Sequence, residues 1–152
     1  MSKALRRRLL RAQDAREKTR LEQQLTAAGI PGLFLDYSPP SWVTAERTRF
    51  FLATTQADFS TPPLAPAQLG QWLEMIASEM GMGTSLTAGT GLENFPWIRI
   101  ETAKKGWGEI LLEILGKNLT LVSENDTTLI VLFEEEYDHL AFTASSKSGS
   151  TE

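Results

Sequence analysis

The stretch LIVLFEEEYDHLAF, Leu129 to Phe142, sets two short apolar runs around a polar middle. Neither run has the length of an ordinary helix, and the first is rich in β-branched and aromatic side chains, so both read as strands. The C-terminal third of the chain is thereby committed to a sheet. LTLVS (119–123) and TLIVLF (128–133), joined by the turn signal ENDT, read as a hairpin, and YDHLAFT adds one more strand.

Upstream, residues 3–28 read as a helix of Ala, Leu, Arg, Gln and Glu, closed by Gly29 and Pro31. Its apolar positions do not form one stripe: Leu5, Leu9 and Ala12 share a face, while Leu10, Leu21 and Leu25 lie nearly opposite. The first half is therefore expected to project and the second half to dock. GLFLDY (32–37) and RTRFFLATT (47–55) read as strands, with Trp42 in the loop between them and a proline-rich link, STPPLAP, after them. Residues 66–80 give the clearest helix: Pro66 suits its first turn, and Leu69, Trp72, Leu73, Ile76, Ala77 and Met80 make one apolar stripe. TSLTAGTGLENFP reads as a flexible loop and WIRIE (97–101) as a strand. WGEILLEIL reads as a second amphipathic helix between Gly106 and Gly116. Helix, two strands, helix, strand, helix and then two or three strands is not the alternation of a doubly wound sheet. It predicts an α+β single domain, a mostly antiparallel sheet with about three helices on one face.

For 152 residues with 41% hydrophobic composition, folding buries roughly 70% of the surface that the unfolded chain exposes. Without cysteine, disulfides, thiolate metal sites and cysteine nucleophiles are excluded. A reducing cytoplasmic location is expected. The charged N-terminus is followed by no apolar leader core, and no apolar run is long enough to span a bilayer. The net charge of -4 is unevenly spread. Residues 1–25 hold eight bases against three acids, and the remainder seven bases against sixteen acids. The expected organisation is a basic, partly projecting helix at 3–28, an acidic α+β body at 30–143, and a disordered tail at 144–152.

The chemistry-bearing patterns are few. On a continuous strand Glu134, Glu136 and Asp138 would share a face, and carboxylates beside the one histidine, His139, are the components of a divalent-metal site or a metal-dependent enzyme. A lone histidine supplies no second nitrogen ligand, so no metal or other cofactor is expected. The same acids suit a strand turn, or a surface that steers a basic partner. Gly89 and Gly91 form G-x-G, but Asn94 stands where a third glycine would fall and WIRIE, a strand, follows; phosphate cradling needs a helix there. No serine lies in G-x-S-x-G. Arg6, Arg7, Arg8 and Arg11 are spaced to grip phosphates, giving a nucleic-acid-binding reading, although no aromatic residue interleaves them for base stacking. Membrane binding is not expected, since the helix lacks Trp and Phe. An i, i+4 pair of Asp14 with Lys18 is expected on its solvated face. Trp72 and Trp107 belong to helical stripes and are expected in the core; Trp97 is expected to be partly exposed, and Trp42 either to cover an open end of the core or to stand as an exposed anchor.

These weights favour a non-enzymatic protein-binding module. The expected partner is a basic protein, neutralised or regulated as bacterial immunity proteins and antitoxins do, an analogy of size and charge. The expected contacts are Glu134, Glu135, Glu136, Tyr137, Asp138 and Trp42. The alternatives are a nucleic-acid-associated regulator using the basic helix and a metal-dependent enzyme centred on Glu134–His139.

Overall fold

The structure, a computed structural model, describes residues 2–52 and 54–146. Four helices, α1 (Lys3–Ala27), α2 (Ser41–Phe50), α3 (Pro66–Glu79) and α4 (Trp107–Leu115), combine with seven strands: β1 (Gly32–Phe34), β2 (Phe59–Thr61), β3 (Ser85–Gly89), β4 (Trp97–Glu101), β5 (Thr120–Ser123), β6 (Thr128–Glu134) and β7 (His139–Ser145). The strands form one sheet in the order β1-β4-β3-β5-β6-β7-β2, every pairing antiparallel. The α+β class expected from element order is the class observed.

Alternation along the strands sorts the core into two layers. Leu86, Ala88, Ile98, Ile100, Leu121, Ile130, Leu132 and Ala141 point to the face covered by α3, α4 and the second half of α1. Trp97, Val122, Leu129, Val131 and Phe142 point to the other face, where α2 lays Val43 and Phe50 on them. The LIVLF run is apolar throughout because β6 is buried on both sides, as central strands covered on two faces are.

Helix ends follow from their residues. The Ser2 hydroxyl accepts from the Leu5 N–H to start α1. At its far end Ile30 N donates to Leu25 O (2.9 Å) and Gly29 N to Thr26 O (3.0 Å), with Gly29 at φ 86°. Leu25 and Ile30 are both buried, so the paired bonds and the apolar contact make a Schellman stop. On α3 the predicted stripe is observed: Leu69, Leu73, Ile76 and Ala77 are buried, with Trp72 and Met80 half-buried against the same cluster. Helices α3 and α4 cross at Gly70 and Gly108. A Cβ on Gly108 would collide with the Gly70 carbonyl oxygen, and one on Gly70 with the Glu109 backbone. The Glu74 carboxylate accepts from Gly108 N (2.9 Å), closing this contact.

Several expectations are corrected. RTRFFLATT is not a strand. Residues 41–50 form α2, because Val43, Arg47 and Phe50 at i, i+4, i+7 meet the sheet with helical period, and this tertiary match overrides the β-propensity of Phe and Thr. Trp42 consequently lies on that helix, half-buried, rather than in a loop. Strand β1 is shorter than GLFLDY, ending at Phe34. The proline-rich link begins with an unforeseen edge strand, β2. SLTAG is not a flexible loop but the central strand β3, with Leu86 and Ala88 facing the helices. The helices number four, and α2 sits on the face that was expected to be free of helices. Trp97 is buried rather than partly exposed, and Trp72 is half-buried rather than central. Of the tail expected at 144–152, Ala144 and Ser145 complete β7, and residues 147–152 lie outside the described residues.

The glycine crossing is directly testable. Gly108→Ala must push two backbones apart and is expected to cost about 1–3 kcal/mol or more, lowering Tm by at least several degrees in a thermal melt. Gly89→Ala, whose Cβ would meet only ordinary contacts at 3.6 Å and beyond, is the matched control and should melt close to the native chain.

Candidate binding groove

The polar middle of the opening stretch is a turn. Strands β6 and β7 pair through to Glu134 opposite His139, and Glu135 N donates to Asp138 O (2.8 Å), so Glu135–Asp138 reverse the chain. Glu134, Glu136 and Asp138 therefore do not share a strand face. His139 is buried while all three carboxylates are exposed. Among the described residues no group of three His, Asp or Glu side chains converges as a metal site would require. Glu134 pairs with Lys117 (3.3 Å), and its N–H donates to Asn118 Oδ1 (2.9 Å). Tyr137, at the tip, is 73% exposed.

Beside this turn lies a cleft of about 230 Å³, lined by Phe50, Phe51, Leu52, Thr55, Phe133, Glu134, Glu135, Leu140 and Phe142. Its aromatic floor is ordered. Phe50 stacks on Phe142 (5.1 Å between centroids), while Phe133 meets Phe51 (4.9 Å) and Phe142 (5.5 Å) edge to face. The chain leaving α2 supplies the lip. Leu52 N donates to Arg49 O, and the Thr55 hydroxyl donates to the same carbonyl (2.7 Å). This turn holds Phe51 69% exposed and Leu52 56% exposed. Two large apolar side chains thus stand in solvent at a cleft that Glu134 and Glu135 also line. A larger cleft, about 450 Å³ between α3 and α4, is lined by Leu69 and Leu112 together with Glu109, Glu113 and Lys117, charges of both signs and no aromatic ring.

Sequence reasoning placed the acids and Tyr137 at this surface but missed Phe51 and Leu52, having assigned them to a strand. The available signal was the alternative period: with Val43, Arg47 and Phe50 inward on a helix, Phe51 and Leu52 fall outward just past its end. Of the two readings of Trp42, the packing fits cover for the core rather than an exposed anchor: it lies against the second core cluster.

A second polar group lies on the same sheet face, over β3 and β4. Tyr37 meets Trp97 edge to face (5.5 Å) and donates to Asp126 Oδ1 (2.6 Å). The Arg47 guanidinium covers the Trp97 ring (5.6 Å), and its buried Nε has no hydrogen-bond partner among the described residues. Arg99 Nε donates to the Thr87 hydroxyl (3.0 Å), and Arg99 lies 3.6 Å from Glu124. Burial pushes the Tyr37 hydroxyl well above its usual range, with the Asp126 hydrogen bond and charge adding to the effect. Burial lowers Arg47. Asp126, at φ 58°, is held in the left-handed region at the β5–β6 turn. These bonds tie strands together and brace that turn.

The two halves of α1 differ in burial. Every described residue from Ser2 to Gln13 is exposed, including Arg6, Arg7, Arg8 and Arg11, whereas Leu21 and Leu25 are buried. The expected Asp14–Lys18 pair is absent. Asp14 is buried and accepts from Asn94 N and Asn94 Nδ2 (2.9 Å each), while Lys18 sits over Phe34 (5.5 Å) and Phe95 (5.2 Å). The longer-range partner wins because it satisfies two otherwise orphaned amide donors. The G-x-G segment closes on itself in the β3–β4 hairpin, Thr90 N donating to Pro96 O and the Thr90 hydroxyl to Phe95 O, and no helix follows to complete a phosphate cradle.

No helix of the described residues is long and apolar enough to cross a membrane. No protein-family model, no curated protein and no solved structure matches the chain.

The raised Tyr37 group sets an alkaline dependence. Its neutral form is favoured by folding, so its contribution is complete below the unfolded value of about 10 and is lost as pH rises through the folded value. Denaturant unfolding of the native chain should therefore weaken above pH 10 more steeply than that of Tyr37→Phe. Equal slopes would show that Tyr37 is not the group responsible.

Proposed function

We propose that the protein is a protein-binding module whose aromatic groove, rimmed by Glu134, Glu135, Glu136 and Asp138, takes a basic amphipathic segment of a protein partner, neutralising or regulating it in the manner of immunity proteins and antitoxins. One observation carries this reading: Phe51 and Leu52 are large apolar side chains left in solvent at a formed cleft, and the charged side chains that line that cleft, Glu134 and Glu135, are both acidic. Exposed aromatic anchors give lifetime to a contact, and the acidic rim gives speed and selectivity against acidic surfaces. The groove's apolar floor favours a segment with Leu or Phe at i and i+4, and its rim favours Lys or Arg on the flanks. No catalytic step enters the proposal.

The test is fluorescence anisotropy with two labelled helical peptides of identical apolar stripe, one flanked by lysines and one by glutamates. The basic peptide is expected to bind in the micromolar range. Phe51→Ser, or Glu135→Lys with Glu136→Lys, should weaken it about tenfold or more, as one or two lost anchors do. Equal binding of both peptides, or binding indifferent to these substitutions, would sink the proposal.

The nucleic-acid reading keeps one supporting observation. Lys3, Arg6, Arg7, Arg8 and Arg11 stand on an exposed helix with no acid among residues 3–13. It predicts retardation of labelled duplex or single strands at low salt that falls steeply with added salt and disappears when residues 1–20 are removed. No retardation by the full chain at low salt ends it.

A further inference from the structure

The exposed half of α1 carries an apolar face of its own. Leu5 and Leu9, one turn apart and 45% and 51% exposed, point away from the side on which Asp14, Leu21 and Leu25 are buried. Arg6 and Arg8 flank them, whereas Arg7 and Arg11 fall on the docked side and line a cleft with Glu93 and Asn94. This half-helix, about 16 Å long at 1.5 Å per residue, has the character that the groove selects: leucines at i, i+4 between cations. The same chain therefore displays both an uncovered basic-apolar helix and an uncovered acidic-aromatic groove.

The two cannot meet within one molecule. Helix α1 is unbroken from Lys3 to Ala27, and its second half is fixed on α4 and β1. Asp14 and Lys18 clasp the β3–β4 hairpin and the residues flanking it, so the first half cannot fold back. The groove lies on the other sheet face at the β6–β7 end, five strand steps from β1, roughly 24 Å across the sheet. Pairing two arms would bring five cations of residues 3–13 against five more, and pairing two grooves would oppose two acidic turns. Only arm to groove joins opposite charges.

We propose that the groove of one molecule receives the Leu5–Leu9 face of α1 from a second copy, with Arg6 and Arg8, which flank that face, reaching Glu134 and Glu135. This rests on the groove being the binding surface of the preceding section and names an occupant for it. The contact is head to tail, so each copy offers one arm and one groove; such contacts close into rings or continue as open chains. A buried face this short is at the small end of specific interfaces, which makes the association reversible and concentration-dependent. A foreign basic segment entering the groove would displace the arm.

Sedimentation velocity on the full chain at about 20 mM salt, across micromolar to near-millimolar concentration, is the test. The native chain is expected to associate, with at least tenfold weakening at about 0.5 M salt, where charges are screened within a few ångströms. Arg6→Glu with Arg8→Glu should be monomeric, as should Glu134→Lys with Glu135→Lys and Glu136→Lys. Both sets are exposed, and circular dichroism checks that the fold is retained. A one-to-one mixture of the two variants should associate again, because an unaltered arm then faces an unaltered groove. A native chain that stays monomeric, either variant alone associating like the native chain, or a mixture that stays monomeric would each overturn the proposal. If the native chain is monomeric but the basic peptide still binds in the groove, self-docking alone fails. If the peptide also fails to bind, the reading of the groove fails with it.

Discussion

The two faces of the sheet have the same width but unequal cover, and much of the surface follows from that mismatch. Seven strands about 4.8 Å apart make a sheet about 29 Å wide. Three helices, each about 10 Å across, span that width, and α1, α3 and α4 lie on one face. The other face has only α2, ten residues long. What α2 leaves uncovered must be either polar or exposed. Over β3 and β4 the solution is polar: Thr87, Arg99, Tyr37 and Asp126 satisfy one another, and Arg47 covers Trp97. Over β6 and β7 it is not. There Phe133, Leu140 and Phe142 continue the apolar face toward the strand ends, and Phe51 and Leu52 extend over them without closing the cleft.

The parts of this arrangement that were legible in the sequence share a property: their own residues decide them. Helices α3 and α4 are fixed by one apolar stripe each, with Pro66 opening α3 and Gly106 and Gly116 bounding α4, and the end of α1 is fixed by Gly29; all were read close to their observed bounds. The β5–β6 hairpin was equally local. The failures are places where a partner decides. SLTAG becomes a strand because β4 and β5 flank it and supply its backbone bonds. Residues 41–50 become a helix because an apolar sheet face needs cover at helical spacing. Asp14 looked like half of an ion pair on a solvated face until the chain brought Asn94, eighty residues away, to meet it. Of the candidate surface, the acids and Tyr137 were legible from composition alone. Phe51 and Leu52 were not, since their exposure depends on where α2 ends.

The sheet edges bear on how copies can meet. Its outermost strands, β1 and β2, are three residues each. Edges this short offer few free backbone groups, which restrains the strand-to-strand addition that longer edges invite. Attraction between copies is then left to side chains, and the charges are segregated, the cations of residues 3–13 on one side and the acidic turn on the other.

The helical arm brings a further consequence. A free segment of eleven residues would be a marginal helix, because nucleation is costly. Here the nucleus is already formed by the docked half of α1, and Ala, Leu, Arg and Gln propagate it outward. Within it Lys3 and Arg7, and Arg7 and Arg11, lie four residues apart, a spacing at which like charges destabilise a helix by a few tenths of a kcal/mol per pair. An acidic surface placed against the Leu5–Leu9 face would bury those leucines and meet Arg6 and Arg8 on either side of them. Because the arm is held in shape before it binds, little ordering entropy opposes the contact. A disordered basic tail of the same composition would have to be ordered on binding and would lose that advantage.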